Sequence, residues 1–342
     1  MYPFFRSLLF KLDPETAHSL TLNLVRLAGI LPPSRWLLQA AFAAPEKPVQ
    51  AFGLTFKNPV GLAAGYDKDA VAGRGLAALG FGHLELGTVT VRPQPGNPRP
   101  RVFRLVEDRA VINRMGFPGQ GAEQAATRLE RLRRLAGSAL PILGVNIGKN
   151  KDTPLEQAAG DYVTLLRRLM GLADYLAINV SSPNTAGLRR LQGREMLEEL
   201  LGAIAKERQA IALGRGGHKP VLVKLAPDLA NDELDDALEA ILRTGMDGVI
   251  ATNTTLAREG VKSAHGSETG GLSGLPLTVR SEAMLQKIVR RLEDRLPVVS
   301  VGGIMSPEDA KRRLDRGAAL VQVYTGLVYD GPGLVQKIIR AV

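Results

Sequence analysis

The stretch YLAINVSSPNTAGLR, residues 175–189, decides how the chain reads. It opens as a short continuous apolar run, the pattern of a strand buried on both faces. It then passes without a break into serines and asparagines, with no histidine or carboxylate among them. A serine at such a strand end either caps a turn or acts as a reagent.

Working outward, the same motif of a short β-rich run followed by a longer helical pattern recurs along the chain. Candidate strands are residues 60–65 (VGLAAG), 83–90 (HLELGTVT), 141–148 (PILGVNIG), 175–182, 220–227 (PVLVKLAP), 248–255 (GVIATNTT), 297–304 (PVVSVGGI) and 320–326 (LVQVYTG). Helical patterns such as REMLEELLGAIAKERQAI and NDELDDALEAILRTG fall between them. Alternation of this kind predicts a parallel sheet with crossover helices, and eight units predict an α/β fold of the (β/α)8 TIM-barrel type. A doubly wound sheet is the competing architecture, but its glycine-rich phosphate loop is missing: AAGYDKD after the first strand is not one, and GVNIGKN has the wrong spacing for a P-loop. Two insertions, RVFRLVEDRAVINRMGF and REGVKSAHGSETGGLSG, follow strand C-terminal ends, the face on which such barrels carry their sites.

The chain has 342 residues, 45% hydrophobic and 23% charged, the composition of a globular protein. The 44 basic residues against 34 acidic ones, net +10, favour an anionic partner. Aromatic residues make up only 5%, with no basic run interleaved by aromatics, which argues against a nucleic-acid surface; a basic nucleic-acid-binding barrel stays as the reading from another class. Cysteine is absent, which removes disulfides, thiolate nucleophiles and cysteine-held metal clusters.

Ahead of the barrel, MYPFFRSLLFKLDPETAHSLTLNLVRLAGILPP places Phe4, Phe5, Leu8, Leu9 and Leu12 on one helical stripe and Leu20, Leu24, Leu27 and Leu31 on another. Two short amphipathic helices are expected, with Arg6, Lys11, Asp13, Glu15 and Arg26 interrupting any membrane-spanning stretch. No signal peptide is expected. The PEKP segment at 45–48 separates a helical segment, 1–44, from the barrel, 45–342. The basic flanks fit either packing on the barrel or an anionic lipid surface, and the net charge favours the latter.

At the strand ends stand Lys68, Thr88, Asn146, Asn179, Ser182, Lys224, Thr252, Asn253, Thr254, Gly302, Gly303, Tyr324 and Thr325. Singly, each has a structural role open to it: a turn, a cap or a snorkelling amine. Together on one rim they imply a ligand rich in donors and acceptors. Gly302-Gly303 and Thr325-Gly326 fall where these barrels hold a phosphate, and Lys224 could stabilise negative charge on a reduced flavin. None of the histidines, His18, His83, His218 and His265, sits at a strand C-terminal end, so neither histidine acid-base chemistry nor a metal site is expected.

The motifs AAGYDKD, NRMGF, NVSSPNT, ATNTT, GGLSG, SVGGI and VQVYTG, in this order and with LDPETAH near the N-terminus, resemble those of the quinone-linked, class 2 dihydroorotate dehydrogenases nearly end to end. The resemblance implies one FMN per chain, oxidation of (S)-dihydroorotate to orotate in pyrimidine (UMP) synthesis, and transfer of electrons to a membrane quinone. Carried over by position, Ala63, Ala64, Gly65, Thr88, Asn146, Asn179, Lys224, Thr252, Gly274, Gly303, Tyr324 and Thr325 would contact FMN. Lys68, Asn113, Arg114, Met115, Gly116, Phe117, Asn179, Asn184, Asn253 and Thr254 would contact substrate, asparagines reading the ring and Lys68 the carboxylate.

Ser182 would be the base that takes the C5 proton, with Thr185 and Phe117 on its path to water, and activity should rise with pH. His18 and Arg104 would lie at the quinone entrance. The family further implies a peripheral enzyme on the cytoplasmic side of the cell membrane, and a monomer. Serine in place of the cysteine base used by class 1 relatives disfavours direct NAD reduction. Tyr66 and Ala186 depart from the family pattern, the latter in a loop expected to cover substrate. The rival within enzymes is another FMN barrel acting on a reduced pyrimidine with a different electron acceptor.

Overall fold

The computed structural model describes residues 2–137, 140–215 and 217–342. Eight parallel strands close into a barrel: β1 (Val60–Leu62), β2 (His83–Val89), β3 (Ile142–Ile147), β4 (Tyr175–Asn179), β5 (Val221–Leu225), β6 (Gly248–Ala251), β7 (Val298–Val301) and β8 (Ala318–Val323). They neighbour one another in chain order, and β8 pairs with β1. All eight predicted strands exist, but most end earlier than the sequence suggests. The polar residues beyond each end leave the ladder to form the rim, because a side chain must clear the sheet to face a ligand.

Alternation along the strands sorts residues into two layers. One set, including Leu176, Ile178, Val221, Val223 and Val249, packs outward against the helices. The other, including Tyr175, Leu222, Ile250, Val299 and Leu320, fills the barrel interior with Phe56. The helices bury the expected stripes: Asn231–Arg243 turns Leu234, Ala237, Leu238 and Ile241 inward, the i, i+3, i+4, i+7 spacing of one helical face. Pro307–Asp315 starts where proline occupies the first turn and the Ser306 hydroxyl accepts from the Asp309 amide at 3.2 Å.

Sequence reading missed two small sheets. A hairpin of Val49–Ala51 with Leu54–Phe56 carries Phe56 into the interior core. At the other end of the barrel the two insertions pair: Val102–Leu105 and Ala110–Asn113 form a hairpin, and Gly271–Gly274 adds to it antiparallel through Ala110–Asn113. Phe103, Leu105, Ile112 and Leu272 give this sheet its own core.

The N-terminal segment contains three helices, where two were expected: α1 (Tyr2–Leu9), α2 (Pro14–Ile30) and α3 (Pro32–Ala41). The breaks fall at Asp13-Pro14, where the Asp13 carboxylate accepts from the Thr16 amide at 2.9 Å, and at Leu31, held extended ahead of proline. Gly29 of α2 lies against the helix Gly73–Ala77 so closely that an added Cβ would come within 2.3 Å of the Gly75 nitrogen. The segment therefore packs on the barrel through one face. Its other side leaves Phe4, Leu24, Leu27, Trp36 and Leu37 more than half exposed.

Candidate active site

The strand C-terminal ends and the inserted sheet enclose a cavity of about 970 Å³, counted out to its open mouth. Among the residues expected at the site, Ala63, Ala64, Gly65, Lys68, Thr88, Asn113, Met115, Gly116, Phe117, Asn179, Ser182, Asn184, Lys224, Thr252, Asn253, Thr254, Gly303, Tyr324 and Thr325 all line it. Residues from seven of the eight barrel strands or the loops after them, and from the inserted sheet, therefore converge on one space, as the barrel reading requires.

A continuous hydrogen-bond network orients these side chains. Thr88 Oγ1 donates to Asn146 Oδ1 at 2.6 Å, and Asn179 Nδ2 donates to both Thr88 Oγ1 and Asn146 Oδ1 at 3.0 and 3.1 Å. Asn253 Nδ2 reaches Asn179 Oδ1 and Ser181 Oγ, while Asn184 Nδ2 donates to Asn113 Oδ1 at 3.3 Å. Ser182 is buried, and among the described residues its Oγ accepts only a long contact, 3.3 Å, from the Asn184 amide. Among the described residues the charged side chains on the wall are Lys68 and Lys224. Lys68 Nζ donates to the Gly65 carbonyl at 2.6 Å, and burial pulls its ammonium down to about 8. The loop after β4 is stitched to the end of β6 by Arg189, which donates to the Ser181 and Thr254 carbonyls and pairs with Asp228 at 2.8 Å.

Three expected residues stand elsewhere. Asn146 is fully buried below the wall and acts through Thr88 and Asn179. Gly274 lies behind the wall, where an added Cβ would meet Thr325 Cγ2 at 3.0 Å. Arg114 turns away altogether: it pairs with Glu268 at 2.6 Å and stacks 4.6 Å over the Phe103 ring, because its neighbours in the inserted sheet offer it a carboxylate and an aromatic face.

His18 and Arg104 line a second cavity of about 830 Å³ between the N-terminal helices and the barrel. Asn113, Met115, Ser273 and Tyr324 border both cavities, so the two lie side by side across these residues. Arg104, half-buried in the hairpin strand Val102–Leu105, lies 4.7 Å over the Phe10 ring and donates to the Leu9 and Leu12 carbonyls. Desolvation, with the nearby Lys68 charge, lowers His18 to about 4, so the imidazole is neutral at pH 7. Its ring meets Tyr66 edge-on at 5.1 Å, and Tyr66 meets Tyr324 at 5.4 Å.

Glu85, Gln322 and Arg313 were missed. Glu85 and Gln322 point into the barrel on the same alternation as the apolar interior, Gln322 at the cavity wall and Glu85 beneath it. A carboxylate inside a run expected to be a buried barrel strand, HLELGTV, was the available signal. Arg313 is wholly buried and donates to the Thr278 carbonyl, to Ser281 Oγ and to the Gly302 carbonyl, so it holds the turn after β7 from behind. Nothing in the helix pattern around it marked that role.

A closed parallel barrel with a polar, enclosed C-terminal rim is an enzyme of the TIM-barrel class. The family profile described as Dihydroorotate dehydrogenase matches residues 48–342, and the chain belongs to that family. It is 48% identical over its whole length to the dihydroorotate dehydrogenase (quinone) of Burkholderia thailandensis, covering 97% of that protein, and equally similar to the one from Burkholderia pseudomallei, covering 98%. Among solved structures, the DHODH of Eimeria tenella in complex with ferulenol superposes with a TM-score of 0.88 at 39% identity, over 96% of this chain and 90% of that one.

Proposed function

We propose that the chain oxidises (S)-dihydroorotate to orotate in pyrimidine biosynthesis and delivers the electrons to a membrane quinone. The observation that carries this reading is a pair of adjacent cavities that share Tyr324 and Asn113 in their walls, one bearing Ser182, Asn179, Asn184, Asn253, Lys68 and Lys224, the other lined mostly by apolar side chains of the N-terminal helices and the barrel, with Glu15, His18 and Arg104 among them. A polar heterocycle and an apolar electron carrier each find a chamber of the matching character.

The residues present fit FMN. Lys224 is buried on the cavity wall with Glu85 Oε1 3.5 Å away, too far for a full hydrogen bond, and has no hydrogen-bond acceptor among the described residues. Gln322 Oε1 is likewise buried without a partner. A donor and an acceptor left open on one wall suit the polar edge of a flavin, and the backbone at Gly302-Gly303 and Thr325-Gly326 suits its phosphate. Bound FMN would supply the hydride acceptor for substrate C6 and the relay to quinone.

The chain's own residues do the rest. Asn113, Asn179, Asn184 and Asn253 present amides that match the donor and acceptor pattern of the substrate ring, and the Lys68 ammonium pairs with its carboxylate. Ser182 Oγ takes the C5 proton. No histidine or carboxylate lines the cavity to activate it, so its effectiveness rests on a substrate held in reacting geometry and on passing the proton onward. The Thr185 hydroxyl, buried with no partner among the described residues, is available for that relay.

Among the described residues no helix is long and apolar enough to cross a membrane. Peripheral attachment to the cytoplasmic face through the exposed leucines and Trp36 of α2 and α3, with Lys11, Arg26 and Arg35 toward anionic headgroups, is the arrangement this surface supports. The test is direct. The protein purified with FMN should bleach on anaerobic addition of dihydroorotate and recolour with a short-chain ubiquinone, not with NAD or fumarate; a colourless protein, or recolouring by fumarate, overturns the reading.

A further inference from the structure

Below the floor of the cavity lies a polar cluster that the reaction above does not use. Glu85, at the centre of β2, is completely buried inside the barrel. Its carboxylate collects donors from three other strands: Asn146 Nδ2 of β3 at 2.8 Å on Oε1, and Gln322 Nε2 of β8 at 2.7 Å with Tyr175 OH of β4 at 3.2 Å on Oε2. Lys224 Nζ of β5 stands 3.5 Å from Oε1. An ionised carboxylate is an acceptor only, and this ring of donors has the composition one requires.

The two partners differ in where they face. Glu85 is sealed from the cavity, whereas Lys224 and Gln322 line it. The carboxylate therefore touches no ligand itself but hydrogen-bonds one group that can, the Gln322 amide, and faces the other, the Lys224 ammonium, as an ion pair. It also makes the charge under the cavity floor close to zero, where a lysine alone would make it positive. A buried cation unmatched by a counter-ion acts strongly on any charge that develops next to it, because little water is present to screen it.

We infer that Glu85 is a positioning residue: as counter-charge to Lys224 it aims the ammonium and the Gln322 amide at the bound flavin and holds down that flavin's reduction potential. The inference rests on the FMN reading above. The competing account is that Glu85 only ties four strands together. That account predicts a loss of stability when Glu85 is changed and no change in the flavin that remains bound.

Glu85→Gln separates the two, since it keeps the shape and removes the charge. The measurement is the two-electron midpoint potential of the FMN-loaded, full-length protein from pH 6 to 9, with flavin content and melting temperature alongside. At pH 6 the variant should favour the reduced flavin at least tenfold over the wild type, about 30 mV for a two-electron couple. Superimposable potentials throughout that range, in a folded and flavin-loaded variant, overturn the inference. A wild-type protein that binds no flavin would instead overturn the FMN reading. Where Glu85→Gln yields no folded protein, the double variant with Lys224→Met removes the unmatched cation and should fold again; continued failure to fold rejects the charge pairing.

Discussion

Replacement of Ser182 by alanine tests the proposed chemistry most directly, because the structure separates its chemical cost from its structural one. The Oγ accepts one long contact, from the Asn184 amide at 3.3 Å, and touches no charged group within hydrogen-bonding range. Removing so weak a bond should cost less than about 1 kcal/mol of stability, so melting temperature and flavin content should stay near those of the wild type. A positioned general base contributes roughly 10²–10⁴-fold, which corresponds to about 3–5.5 kcal/mol at about 1.36 kcal/mol per decade. The assay is stopped-flow bleaching of the flavin by dihydroorotate under anaerobic conditions, read at saturating substrate so that binding does not enter. Flavin reduction should slow by two to four orders of magnitude, while reoxidation by quinone keeps its rate. Ser182→Cys, which supplies a more acidic group at the same place, should recover part of the loss. A Ser182→Ala protein reducing its flavin within tenfold of the wild-type rate would refute the assignment, since water or another side chain would then be taking the proton.

Two further outcomes follow from the charged groups around the cavities. Burial lowers Lys68 to about 8, so the unliganded site should lose its grip on the substrate carboxylate as pH rises through 8, even while the reduction rate at saturation climbs with pH; Lys68→Met should weaken dihydroorotate binding roughly 10- to 150-fold, the value of one charge-assisted hydrogen bond, and flatten that pH dependence. Glu15 of α2 accepts from Arg101 Nη2 at 2.7 Å and Nε at 3.1 Å, tying the N-terminal helices to the barrel. Burial would raise its carboxyl, but Arg101 and Arg99 outweigh that and hold it below the ordinary 4.5. The contribution is therefore present at neutral pH and lost as pH falls through the lowered value. Glu15→Ala should cost about 1.5–3 kcal/mol and impair quinone turnover far more than flavin bleaching; equal loss of both would show that the helices support the whole fold.

The barrel and most of its rim were legible along the chain. Strand period and strand-end chemistry are properties of sequence neighbours, so the run from Tyr175 to Asn179 and the serines after it could be placed without knowing anything across the barrel. The pairing of the two insertions was not legible, because Asn113 and Gly271 meet only once the barrel brings the ends of β2 and β6 to one side. Arg114 shows the same limit at a single residue: its motif pointed to substrate, and a carboxylate and a ring from elsewhere in the fold captured it.

By itself, then, the amino-acid order determined eight buried strands, the polar rim rich in asparagine, serine, threonine and lysine that follows them, and an apolar segment in front. Closure of the barrel decided which of those residues face one another. It set Glu85 against Lys224, placed the two cavities on either side of Tyr324, and left Leu20, Leu24 and Leu27 of α2 facing away from the core. The physical reason is range: periodic burial is decided within a few residues of chain, whereas the partner of a buried charge is chosen by whichever distant strand the closed sheet brings within a few ångströms.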